Sequence, residues 1–141
     1  MPVLDFFERT LTDLDHVRLK NLVRRNLRDP LSSPRTRQIE HALDACAVVP
    51  ARRVPPDVVT MYSQVLLLDR ASGERNKVTL CYPADAEPAE GFVSVLSPLG
   101  WSLLGLRAGQ VARWSTPSGG ERAAEVLAIL FQPEASGDYS M

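Results

Sequence analysis

The sequence predicts an α+β protein in two parts. The first is a short N-terminal antiparallel helical hairpin over residues 1–50. The second is a C-terminal domain over 54–141, built as an antiparallel sheet with one short helix. Three observations predict this. Apolar residues recur at helical spacing up to about residue 48 and at strand spacing afterwards. A proline-rich break, Pro50-Ala-Arg-Arg-Val-Pro-Pro56, separates the two regimes. The later strands follow one another without a β-α-β alternation, which argues for an antiparallel sheet.

The first helix starts at Thr12, whose hydroxyl suits an N-cap, with Asp13 and Asp15 in the first turn where acids complement the helix dipole. Leu14, Val17, Leu19, Leu22, Val23 and Leu27 form one broad apolar stripe. Pro30 ends the helix near Asp29 by disfavouring helical geometry before it. Ser33-Pro34 then caps and opens a second helix, running to about Val48, with Ile39, Ala42, Leu43 and Cys46 on its inner face. A linker this short folds the two helices back on each other.

In the second part, strands are expected at Val58–Thr60, Gln64–Asp69, Lys77–Tyr82, Phe92–Val95, Gln110–Trp114 and Ala123–Phe131. Ala71-Ser-Gly73 and Thr116-Pro-Ser-Gly-Gly120 supply turns. Ser97-Pro98 opens the short helix as cap and first residue, with Leu99, Leu103 and Leu104 inward and Gly105 at the exit.

The 141 residues carry 16 basic and 17 acidic side chains, a net charge of -1, so no global field draws the chain to nucleic acid or membrane. The balance is uneven. Residues 1–53 hold ten basic against seven acidic side chains, and residues 54–141 six against ten. Arg18, Lys20, Arg24, Arg25, Arg28, Arg35 and Arg37 face Asp29 alone between residues 18 and 37. No apolar run reaches the roughly 20 residues of a membrane helix. The first residues lack a cleavable signal pattern, so a cytoplasmic protein is expected. Cys46 and Cys81 stand far apart and read as small, buried, unpaired side chains.

Catalytic patterns are thin. His16 and His41 lie on helices with no nucleophile set beside them. No metal-ligand spacing and no glycine-rich phosphate cradle is present, so neither metal nor cofactor is expected. Asp85-Ala-Glu87-Pro-Ala-Glu90 reads as a solvated acidic loop, and the scattered aromatics make no base-stacking platform. Trp101 falls opposite Leu99 and Leu103 on the short helix, where a part-exposed indole is a contact anchor.

Asp57-Val-Val-Thr-Met61, Val78-Thr-Leu-Cys-Tyr-Pro-Ala-Asp85, Ser94-Val-Leu-Ser-Pro-Leu-Gly100 and Leu103-Leu-Gly-Leu-Arg-Ala-Gly109 appear in one order. Together they resemble the C-terminal domain of the GreA/GreB transcript-cleavage factors over residues 54–141. The closing Gln132-Pro-Glu-Ala-Ser-Gly-Asp-Tyr139 is similar to the branch called regulators of nucleoside diphosphate kinase, or Rnk. The N-terminal half is similar in architecture only. The resemblance implies an FKBP-like C-terminal fold, a hairpin in place of the long Gre coiled coil, and RNA polymerase as partner at its secondary channel. It implies that the Ser-Pro loop, here Leu96, Ser97, Pro98 and Leu99, touches the polymerase rim helices. Trp101 joins that set from the residue reading above.

The tip departs from the Gre pattern. Gre factors present an acidic pair there that helps hold a catalytic Mg²⁺, whereas this turn offers Asp29 among arginines. A polymerase-binding regulator that competes with Gre factors without stimulating cleavage is therefore expected, not an enzyme. Arg24, Arg25, Arg28, Arg35 and Arg37 read either as a solvated face or as a basic patch meeting acid or RNA phosphate. Two alternatives stay open: direct regulation of nucleoside diphosphate kinase, and an FKBP-like prolyl isomerase or peptide-binding module. Neither a membrane nor a specific nucleic-acid sequence is an expected partner.

Overall fold

The computed structural model describes residues 9–27, 34–116 and 118–138. The chain divides into two compact units, Met1–Val54 and Pro55–Met141.

The N-terminal unit contains β1 (Thr10–Thr12), α1 (Asp13–Leu27), α2 (Pro34–Ala45) and β2 (Ala47–Val49). The predicted cap is in place: the Thr12 hydroxyl accepts a hydrogen bond from the Asp15 amide at 3.0 Å. Thr12→Ala is expected to destabilise this unit by about 1 kcal/mol. Circular dichroism during thermal unfolding reads it, and an unchanged melting curve would refute the cap's role.

Leu19 and Val23 of α1 pack with Ile39 and Leu43 of α2, all four at most 3% exposed. His16 Nε2 donates to the Leu43 carbonyl at 2.8 Å. Lys20 pairs with Asp44 at 2.6 Å and holds that carboxyl below the usual carboxylate range. Three expectations need correction. Val17 is 55% exposed, because the buried row follows residues 15, 19 and 23 and Val17 stands across the helix from it. The second helix also stops at Ala45, and Ala47–Val49 pair in parallel with Thr10–Thr12 instead of continuing it. Cys46 is only half-buried, with its thiol bonded to the Leu43 carbonyl; Cys81 is buried, and neither forms a disulfide.

The C-terminal unit contains β3 (Gln64–Asp69), β4 (Arg75–Cys81), β5 (Phe92–Ser94), α3 (Pro98–Leu103), β6 (Val111–Ser115) and β7 (Glu121–Phe131). These strands form one sheet in the order β5-β4-β3-β7-β6. Its α+β character is as read, but the sheet is not wholly antiparallel, because β5 runs parallel to β4. The ten residues between them, including short 3₁₀ turns at Pro83–Asp85 and Pro88–Glu90, carry the chain back alongside β4. The strand expected at Val58–Thr60 is absent. Val59 bonds instead to the exit of α3, its amide to the Leu106 carbonyl at 2.8 Å and its carbonyl to the Gly105 amide at 2.9 Å.

Strand alternation gives the sheet two faces. Val65, Leu67, Val78, Leu80, Ala112, Ala124 and Val126 are buried on the face that carries α3, with Leu103 and Leu104. Each buried large side chain contributes about 1.5–3 kcal/mol. Strand β7 slips register against β3 twice, leaving Leu127 and Leu130 as bulged residues.

Candidate functional site

The best-built surface feature of the C-terminal unit is the start of α3. Ser97 Oγ accepts from the Gly100 amide at 3.1 Å and donates to the Ser94 carbonyl at 2.6 Å. The Ser97 amide also reaches that carbonyl, at 3.0 Å, and the Leu96 amide donates to Ser94 Oγ at 3.1 Å. Pro98 occupies the first helical position, where its missing N–H leaves nothing unsatisfied. Five bonded or ring-fixed residues thus hold this loop in one shape.

Gly100 makes that shape possible. A β-carbon there would lie 1.9 Å from the Ser94 carbonyl oxygen, so no other residue lets the helix sit this close to the end of β5. Sequence reading missed this role, because a glycine at an ordinary φ inside a helix carries no local signal.

Leu96, Ser97, Pro98, Leu99 and Trp101, the five residues singled out above, all stand here and all are partly exposed. A rigid backbone with half-buried Leu, Pro and Trp side chains is a surface suited to a protein partner. Leu99 also lines a groove of about 530 Å³ on the helix-bearing face of the sheet. Leu67, Val78 and Ala124 contribute to its apolar lining, and Asp69, Glu90 and Arg122 are among its polar groups. Arg122 pairs with Asp69 and stacks over Trp114 at 5.9 Å. Amides of Ser72 and Ala71, and then Arg122, hold the Asp69 carboxyl below its usual range.

A second cluster lies at the start of the acidic loop. Tyr62 adopts φ +64, an uncommon conformation for a bulky residue, and its ring meets Tyr82 at 5.8 Å. Its hydroxyl donates to Asp85, and burial followed by that carboxylate pushes it up to about 12. It therefore remains a donor at physiological pH. Asp85, Glu87 and Glu90 are exposed, and no group of three possible metal ligands occurs among the described residues.

The predicted basic patch belongs to the N-terminal unit. Arg24 and Arg25 are exposed in the last turn of α1, and Arg37 is exposed on α2. Among the described residues none of the three has an ion-pair partner. Arg28, Asp29 and the side chain of Arg35 lie outside the described residues, as does Tyr139. No helix among the described residues is long and apolar enough to cross a membrane.

Comparison with known proteins supplies the family. Residues 54–131 match the model for the C-terminal domain of the transcription elongation factors GreA/GreB. The regulator of nucleoside diphosphate kinase of Escherichia coli K12 is 41% identical over 97 residues, spanning 69% of this chain and 71% of that protein. Transcription elongation factor GreA of Geobacillus kaustophilus is 32% identical over 95 residues, 67% of this chain and 60% of its own. A solved GreA/GreB elongation factor from Nitrosomonas europaea superposes with a TM-score of 0.71 at 32% identity, covering 88% of this chain and 98% of the other. The matched segment contains every residue of the α3 start, and through it the chain belongs to the GreA/GreB family of transcription elongation factors.

Proposed function

We propose that this chain is a non-catalytic regulator that docks on RNA polymerase near the secondary channel, competing with Gre-type factors without stimulating transcript cleavage. The carrying observation is the α3 start: a doubly bonded Ser97, a proline at the first turn, and Leu96, Pro98, Leu99 and Trp101 partly exposed around them. Such a preorganised apolar contact binds with little ordering cost. On this reading the C-terminal unit has an FKBP-like fold used for docking, and the protein works in the cytoplasm, where the polymerase is.

The hairpin supports the second half of the proposal. Its tip sequence offers Asp29 among Arg24, Arg25, Arg28, Arg35 and Arg37, and a hard cation such as Mg²⁺ needs several oxygen ligands presented together. A basic tip instead suits an acidic protein surface or RNA phosphate. An effect on nucleoside diphosphate kinase, which the name of the Escherichia coli relative suggests, then follows indirectly through transcription. An isomerase reading has less support, since Trp114 is the aromatic lining the groove beside Leu99.

The test is a pull-down with purified core RNA polymerase, with GreA added as competitor. Binding is expected, lost on GreA addition and weakened about tenfold by Pro98→Ala, a loss of about 1.4 kcal/mol. Arg25→Glu with Arg35→Glu is expected to weaken binding further and flatten its salt dependence. In parallel, backtracked complexes are expected to release no dinucleotide. Absence of binding at low salt overturns the docking proposal, and release that depends on Asp29 overturns the non-catalytic one.

A further inference from the structure

The C-terminal sheet has a second face, opposite the one that carries α3, which the docking residues do not use. Leu66 and Leu68 of β3 stand at its centre. On one side Leu66 pairs with Lys77 and Leu68 with Arg75; on the other, Leu66 pairs with Ala128 and Leu68 with Glu125. The row through Leu68 therefore runs from cationic on β4, through apolar on β3, to acidic on β7, while the row through Leu66 ends on Ala128. One row further, Gln64 lies between Thr79 and Phe131, and Thr79 is flanked in turn by Phe92.

Two properties set this face apart from an ordinary wet sheet surface, which is polar. Phe131 is 41% exposed and Phe92 36%, in the same cross-strand row, and the bulged Leu130 beside them is 44% exposed. Grouped large apolar side chains of this kind mark interaction surfaces. Arg75 and Lys77 also have no ion-pair partner among the described residues, and Glu125 has only Arg70, at 3.6 Å.

We propose that this face binds a second copy of itself, around a two-fold axis parallel to β3. Such an axis exchanges left for right while keeping position along the strand. Because Leu68 pairs with both Arg75 and Glu125, those two residues share one row, and the rotation sets each Arg75 over the partner's Glu125. The β3 leucines then meet their own counterparts. Two sheets stacked about 10 Å apart bring such long side chains within reach of each other. An acidic helix would neutralise the cations but would leave Glu125 facing like charge, whereas a second copy satisfies both signs at once.

Sedimentation velocity on the full chain over a concentration series tests this. The wild type is expected to dimerise with concentration. Arg75→Glu and Glu125→Arg are each expected to weaken the dimer about tenfold or more, since each sets like charges opposite twice. An equimolar mixture of the two variants restores both pairs and is expected to return to wild-type association. Tryptophan fluorescence confirms that each variant is folded. A wild type that stays monomeric throughout overturns the proposal, and so does a mixture that fails to associate.

Discussion

Gly100→Ala is expected to destabilise the C-terminal unit by about 3 kcal/mol, the upper end for an added methyl group in a packed site. The added carbon would sit 1.9 Å from the Ser94 carbonyl oxygen and 2.7 Å from its carbon. Backbone at the end of β5 is the obstacle, so no side-chain rotation relieves the clash. Relief requires α3 to lift away, which breaks the Ser97 hydroxyl bonds to Ser94 and Gly100 and uncovers Leu103 and Leu104, both fully buried. Trp101 and Trp114 are the chain's two tryptophans and both lie in this unit, so fluorescence during urea unfolding reports it directly. Gly119→Ala is the comparison: its added carbon meets nothing within 4 Å, leaving only the strain of φ +90, about 1–2 kcal/mol. A Gly100→Ala loss no larger than that of Gly119→Ala would show that the end of β5 gives way to the added carbon. Polymerase binding is expected to fall with Gly100→Ala even at temperatures where the unit remains folded, because Pro98 and Leu99 move with the helix.

What the sequence disclosed depended on range. The Thr12 and Ser97 caps, the limits of β3 and the position of Pro98 follow from chemistry within four residues, and all are found in the structure. Val17 belongs to the apolar stripe by character alone, and which side of α1 meets α2 is set by packing that the stripe does not encode. Val58–Thr60 has strand composition, yet the backbone bonds of Val59 go to the exit of α3, far along the chain, and the Val58 and Thr60 amides bond locally to the Pro55 carbonyl and Ser63 Oγ. The parallel pairing of β5 with β4 similarly depends on the path of a polar loop that periodicity does not describe. The shape of the Leu96–Leu99 loop was legible because a cap and a proline mark it locally, whereas a docking role for it is what the resemblance implies. Gly100, Gln132 and Tyr62 were missed as structural determinants because their roles are set by partners or by a backbone angle. Family resemblance carried the functional reading, and no spacing of residues substitutes for it.

Gln132→Ala is the other change expected to act strongly, at about 3 kcal/mol. The Gln132 side-chain amide donates to the Pro55 carbonyl and to the Val58 carbonyl, both at 2.8 Å, and the residue is 4% exposed. Truncation removes two hydrogen bonds, each worth about 1 kcal/mol, and leaves the buried Val58 carbonyl unsatisfied at a further 1–3 kcal/mol. The neighbouring Glu134 does not compensate, since it accepts from Thr60 Oγ1 at 2.6 Å and offers no donor in its ionised form. Gln132→Glu sharpens the test. Its ionised carboxylate would face two carbonyl oxygens, so its pKa rises on folding, and the stability kept in the protonated form is lost as pH rises through that raised value. The variant is therefore expected to lose more stability than Gln132→Ala at pH about 7 and to recover part of it at pH about 4.5, measured against wild type in urea. A pH-independent difference would show that the amide donors are not what holds the segment. The consequence extends to docking. Val58 precedes Val59, whose backbone grips Gly105 and Leu106 at the exit of α3, so loosening Gln132 loosens the rear anchor of the helix that presents Pro98 and Trp101. Weaker polymerase binding by a folded Gln132→Ala protein, with Pro98 unaltered, is the expected result. Undiminished binding would confine the clamp to stability.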